Sequence, residues 1–340
     1  MQSTPPTFTE LHDPAPEDIG ANHLEFLHRL KGPVWINVAG RDTTRSRAIV
    51  TLLHGNEPSG LKAIHRFLAG ARKPATNLGI FIGSVNAAQR APAFSHRFLP
   101  DEVDLNRCFN PPYTTDQRKL AEALLARLVE FSPEAIIDAH NTSAHSEPFA
   151  VADNDDPKTL QLAQIFARRL VVLDLQLGTL IEQHGPFGPS LTIEFGGLMD
   201  PRADQTAVET LSRFAMQETL FDVEPSPMTV LRHPLRLELA GDYNLHYSSS
   251  VQDDSDITIF NTIDQLNFSR IDAGTPIGWL CRGKIDMLKV QGASRENLLS
   301  DYFREEEGFI VAARPLILFM ATTDAYIARK DCLLYLTPQD

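Results

Sequence analysis

His54 and Glu57, three residues apart in His54-Gly55-Asn56-Glu57, follow the apolar run Ala48–Leu53. An imidazole and a carboxylate leaving the end of a buried strand can fill two corners of a tetrahedral zinc sphere. A third donor is required. The best candidate is His140, where a second apolar run, Ala135-Ile136-Ile137, passes through Asp138-Ala139-His140 into the polar Asn141-Thr142-Ser143. Strand ends of this kind meet at the carboxyl edge of a parallel sheet. Three protein ligands leave one position open, the arrangement of a catalytic rather than a structural zinc.

Other residues have two readings each. Glu194 follows Leu191-Thr192-Ile193 and precedes Gly196-Gly197, so it is either a solvated strand-end charge or a proton-transfer group that small neighbours leave accessible. Asp138 lies two residues before His140 and shares its face of a strand, where it can orient a ligand imidazole. Arg107 offers a planar fork suited to a carboxylate. Its alternative is a surface pair with Asp104. Cys108, next to Arg107, reads as a packed thiol or a reactive one.

The elements that must position these groups alternate. Ala48–Leu53 reads as a buried strand, and Leu61, Ile64 and Leu68 follow at helical spacing with Pro58 suited to the first turn. Gly79–Val85 supplies another strand, Leu120, Leu124 and Leu128 mark a helix, and Ala135–Asp138 returns to a strand. This alternation predicts a parallel α/β core. Pro157–Leu170 is helix-like, Leu191–Phe195 strand-like and Ala203–Phe221 helical. After the Pro-rich stretch Val223–Met228 come short extended runs such as Asp256–Asn261 and Gly308–Ala313. A division into residues 1–224 and a smaller β-rich domain, 225–340, is expected.

The 340 residues suffice for a sizeable core and two domains, and 43% hydrophobic content is ordinary for a globular chain. A formal charge of -13 argues against a general nucleic-acid surface. The first ten residues lack a basic start and an apolar core, no apolar run reaches membrane-spanning length, and three widely spaced cysteines suit a reducing compartment. A cytoplasmic protein with no membrane partner is expected, with homo-oligomerisation left open.

Taken in order, His54-Gly55-Asn56-Glu57, Asn86 after Ile80–Val85, Arg97-Phe98-Leu99, Asp104-Leu105-Asn106-Arg107, Asp138-Ala139-His140-Asn141 and Thr192-Ile193-Glu194-Phe195-Gly196 resemble the motifs of the aspartoacylase and succinylglutamate desuccinylase family of the zinc carboxypeptidase superfamily. The resemblance implies an α/β fold, with a carboxypeptidase-like mixed sheet flanked by helices and a β-rich C-terminal domain. It implies one zinc ion on His54, Glu57 and His140, with Glu194 as general base and Arg97 polarising the scissile carbonyl. Asn106, Arg107 and Tyr326 would bind a small N-acyl amino acid. Two departures stand out. The interval from Arg97 to Asn106 is slightly longer than the family pattern, and the further arginine that aspartoacylases carry upstream of the base is missing, since no arginine lies between Leu170 and Glu194. His184 is the donor nearest that stretch. The expected activity is therefore deacylation of an N-acyl amino acid or related carboxylate. The alternatives are a metallocarboxypeptidase acting on small peptides and a noncatalytic binding protein on the same fold.

Overall fold

Runs rich in Ile, Val and Phe build the central sheet, because branched and aromatic side chains pack well on a pleated surface. The computed structural model describes residues 8–222, 224, 226–252, 254–294 and 296–339. The chain divides into two compact units, Met1–Asn141 with Pro148–Val171 and Gln176–Val230, and Thr142–Glu147 with Val172–Leu175 and Leu231–Asp340. Residues 223 and 225, beside the expected boundary, lie outside the described residues.

The large sheet comprises β1 (Thr9–His12), β2 (Val34–Val38), β3 (Asp42–Thr51), β4 (Thr76–Ile82), β5 (Ile136–Thr142), β6 (Phe149–Ala152), β7 (Arg169–Val172), β8 (Ser190–Gly197) and β9 (Thr229–Arg232). Its order is β1-β2-β4-β3-β5-β8-β6-β7-β9. β3 runs parallel to β4 and β5, with Val50 opposite Phe81 on one side and Asp138 on the other. β2 is antiparallel to β4, and β6 to β8, so the sheet is mixed. The link from β5 to β6 is too short for the crossover that a parallel strand needs.

Helices cover this sheet with apolar faces. Ser59–Ala69 buries Leu61, Ile64, Phe67 and Leu68. Its Gly60 is required by close approach, since a Cβ there would stand 2.1 Å from Thr51 Oγ1 and 2.9 Å from Ala139 Cβ. The helix start therefore lies directly on β3 and β5. Asp116–Phe131, capped by the Thr115 side chain, buries Leu120, Leu124 and Leu128.

Three expected elements differ. β4 ends at Ile82, and Val85 instead opens a helix to Gln89. The helix from Pro157 stops at Ala163, and Leu170 belongs to β7, where Val171 and Val172 favour extended backbone. The helix expected to reach Phe221 runs Pro201–Met216. Buried Arg47 terminates it, donating from Nη1 to the carbonyls of Phe214 and Gln217 at 2.6 and 2.7 Å. These satisfy acceptors that a helix end leaves unpaired.

The second unit is β-rich. Arg270–Ile271, Leu316–Phe319, Leu334–Pro338, Leu235–Leu239 and Leu288–Gln291 form one five-stranded sheet. Leu245–Ser248, Ile257–Phe260, Pro276–Leu280, Phe309–Ala312 and Phe303–Glu306 form another. Leu237, Leu318 and Leu336 of the first share a hydrophobic core with Ile257, Ile259 and Ile310 of the second. Among the described residues no helix is long and apolar enough to cross a membrane.

Candidate metal centre

β3 ends at Thr51, and buried Leu52 adopts a φ of 52°, a left-handed conformation uncommon for a residue with a side chain. The turn it makes leads into the His54–Glu57 loop. Gly55 allows that loop to pass close to its neighbours, because a Cβ would stand 2.7 Å from both Ala88 N and the His96 carbonyl oxygen. The Gly55 N–H donates to the Arg97 carbonyl at 2.8 Å, which secures the Arg97 segment beside the loop.

The ligand-type atoms of His54, Glu57 and His140 lie within 4.8 Å of one another, and all three residues are buried. Each imidazole turns Nδ1 toward Glu57 and Nε2 toward an aspartate. His54 Nδ1 is 2.9 Å from Glu57 Oε1, and His140 Nδ1 is 2.7 Å from Glu57 Oε2. The contact at His54 is out of hydrogen-bonding alignment, and its Nδ1 has no hydrogen-bond partner among the described residues. On the far sides, His54 Nε2 is 2.9 Å from Asp104 Oδ1, and His140 Nε2 is 2.9 Å from Asp138 Oδ2. With a cation bound, such carboxylates would fix the tautomer and leave each Nδ1 its lone pair for the ion; without one, His140 Nδ1 donates to Glu57 Oε2. Two imidazoles and a carboxylate, one imidazole nitrogen buried without a partner, fit a divalent cation of the zinc type.

Electrostatics follow from this packing. Burial pushes Glu57 upward, but His54 and His140 together outweigh it and hold the carboxyl well below the usual range. Asp104 behaves likewise, with burial overcome by His54, Arg97 and Arg107. His140 is raised well above an ordinary imidazole, because Asp138 and Glu57 outweigh the cost of burial. Glu194 differs. Burial lifts its carboxyl to about 7, Glu57 adds to the rise, and His140, His54 and Arg97 pull against it. Its Oε2 is buried and makes no hydrogen bond to a described residue.

Arg97 spans the loop and its support, with Nη1 3.2 Å from Glu57 Oε1 and Nε 3.1 Å from Asp104 Oδ2. Asn106 is buried, its Oδ1 accepting from the Leu180 N–H at 3.2 Å and its Nδ2 standing 3.5 Å from His140 Nε2. Arg107 Nη1 donates to the Asn106 carbonyl at 3.0 Å. Tyr326 belongs to the second unit, in the first turn of the helix Ala325–Lys330, and is 64% exposed. His184 is exposed, with Nε2 3.1 Å from Asp153. Cys108 is buried and its thiol donates to the Asp104 carbonyl at 3.2 Å, with burial pushing its pKa upward, so the packed reading holds.

Sequence reasoning assigned Asp104 to a neighbouring arginine, whereas its side chain also supports His54, fifty positions away. Nothing local signals that pairing. Asn141 was passed over as well. Its backbone N–H donates to Glu57 Oε2 at 3.1 Å, and its sequence signal is its place directly after a ligand in Asp138-Ala139-His140-Asn141.

Residues 44–217 match the sequence profile of the succinylglutamate desuccinylase/aspartoacylase catalytic domain. No curated protein sequence matches the chain. Among solved structures, a succinylglutamate desuccinylase from Vibrio parahaemolyticus aligns with a TM-score of 0.60 at 13% identity, over 94% of this chain and 96% of that one. A succinylglutamate desuccinylase/aspartoacylase from Rhodobacter sphaeroides aligns at 0.58 and 16% identity, over 89% and 88% of the two chains. The product-bound ectoine utilization protein EutE (DoeB) from Ruegeria pomeroyi aligns at 0.52 and 16% identity, over 90% and 88%. These likenesses establish the fold.

Proposed function

The chain belongs to the succinylglutamate desuccinylase/aspartoacylase family, and from that premise we propose that it hydrolyses the amide bond of an N-acyl amino acid or related small carboxylate, using one zinc ion. The carrying observation is the buried convergence of His54, Glu57 and His140, with the unpartnered Nδ1 of His54 among them. These three residues would hold the ion. When bound, the ion supplies Lewis-acid polarisation of the carbonyl and lowers the pKa of water toward about 7.

The chain's own groups do the rest. Glu194, whose carboxyl burial raises and a bound cation would lower again, accepts a proton from the attacking water and returns it to the leaving nitrogen. Arg97, oriented by Asp104, meets the negative charge that develops on the carbonyl oxygen. Arg107 and Asn106 receive the substrate carboxylate. Because His140 Nε2 commits its proton to Asp138, Asn106 Nδ2 gains no acceptor there and keeps its N–H groups for an incoming anion. Tyr326 is the substrate-binding residue proposed from the second unit. The chemistry is assigned to residues 1–224, with 225–340 as the β-rich domain. A cytoplasmic setting is supported by three free cysteines.

The test is turnover of the zinc-loaded protein on a panel of N-acyl amino acids and short peptides. Release of free amino acid from an acylated substrate is expected. Cleavage confined to the C-terminal residue of peptides would replace this reading with a metallocarboxypeptidase, and no turnover at all would leave a binding protein. Substituting Arg107→Lys keeps the charge but loses the fork, so the preference for a free carboxylate over its neutral amide analogue, read in kcat/KM, should shrink.

A further inference from the structure

We infer that Asp204 is a positioning residue for the ligand carboxylate Glu57, acting through Ser59 and Asn141. The inference rests on the metal-site reading above and extends it to a residue outside the site. Its basis is an unbroken polar chain. The Asn141 N–H donates to Glu57 Oε2 at 3.1 Å. The Asn141 side chain is clamped on both ends, with Oδ1 accepting from the Ser59 N–H at 3.1 Å and Nδ2 donating to Ser59 Oγ at 2.9 Å and to the Gly196 carbonyl at 3.1 Å. Ser59 Oγ stands 2.7 Å from Asp204 Oδ1, and Lys62 Nζ 2.7 Å from Asp204 Oδ2.

The polarity of this chain is set from its outer end. A serine hydroxyl has one hydrogen, and an ionised carboxylate can only accept. Asp204 therefore takes that hydrogen, and Ser59 Oγ is left with lone pairs facing Asn141 Nδ2. Without an acceptor at position 204 the hydroxyl is free to turn its hydrogen toward Nδ2, donor against donor, and the clamp on the amide loosens. Two elements of the site depend on where that side chain is held. One is Glu57, which receives the backbone N–H of the same residue, and the other is the strand of Glu194, whose Gly196 carbonyl accepts from the side-chain amide two residues further on.

A simple surface pair between Lys62 and Asp204 would matter little to the site. The two roles separate by substitution. Asp204→Asn keeps an oxygen for Ser59 and gives up the charge that pairs with Lys62. Asp204→Leu gives up both, at a position that is only half-buried. Lys62→Met removes the ion pair alone, and Ser59→Ala breaks the chain at its middle.

The full chain, loaded with zinc, is mixed with an excess of a chromogenic chelator and the rate of zinc release is followed, with the thermal midpoint measured in parallel. Outer groups around a metal typically contribute 10–100-fold to affinity, and Asp204 is two links further out, so Asp204→Leu and Ser59→Ala should release zinc about 3–10-fold faster. Asp204→Asn should restore the wild-type rate, and Lys62→Met should match wild type even if its thermal midpoint falls. Wild-type release from Asp204→Leu and Ser59→Ala would overturn the inference, as would release from Asp204→Asn as fast as from Asp204→Leu. A wild-type chain that takes up no zinc would instead sink the metal site itself, and this inference with it.

Discussion

In the first unit the buried polar residues include His54, Glu57, Asp138, His140 and Glu194, whereas among the described residues of the second they are all hydroxyl-bearing: Thr142, Ser146, Ser255, Thr258, Thr322 and Thr337. A neutral hydroxyl needs at most a local hydrogen bond, as where Thr258 Oγ1 meets Ser255 Oγ at 2.7 Å, and at Thr337 it goes without one among the described residues. An ionised group taken from water needs a partner of opposite charge or a bound ion. The first unit also shows what a purely structural buried charge looks like. Arg47 is fully buried, with Nε bonded to Glu134 and Nη1 to helix carbonyls. His54 Nδ1 and Glu194 Oε2 lack such partners, as the proposed metal-binding and proton-transfer roles require.

The comparison breaks first if the ligands can be removed without consequence. His54→Ala and His140→Ala should each lose stoichiometric zinc, measured by elemental analysis after dialysis, and with it all turnover. Full zinc content in both would return the cluster to a structural role. Next in size is Glu194→Gln, which preserves shape but cannot take a proton. Zinc should remain and kcat should fall by roughly 10²–10⁴-fold. Near-normal turnover would remove Glu194 as the base.

A pH profile sharpens the same point. A base works in its ionised form, and a carboxyl raised to about 7 is protonated below that value. The wild-type kcat/KM should therefore rise about tenfold per unit as pH approaches the Glu194 pKa from below and level off above it. A bound cation favours the carboxylate and moves this limb to lower pH. An acid limb unchanged in Glu194→Gln would assign it to another group. The smallest expected effect on chemistry lies in the second unit. Leu318→Ala in its core should cost about 2–5 kcal/mol in denaturant unfolding while leaving zinc stoichiometry unchanged. Loss of metal in a folded Leu318→Ala protein would contradict the separation of roles.

How much of this was legible beforehand depended on distance along the chain. Leu120, Leu124 and Leu128 announced their helix because side chains one turn apart share a face. Asp138 and His140 announced their shared face because strands repeat every two residues. The local pattern failed where a distant group ended an element, as Arg47 does for the helix Pro201–Met216.

The sequence by itself therefore determined which residues have ligand chemistry, that His54 and His140 follow or close apolar strands, and that an α/β region precedes a β-rich one. The tertiary structure alone decided that Asp104 backs His54, that Asn141 and Ser59 connect Glu57 to Asp204, and that β2 and β6 run against their neighbours. Periodicity records which side of an element is buried, because it reflects neighbours along the chain. Partners brought together across the sheet leave no such trace, since their contact depends on strand order and packing.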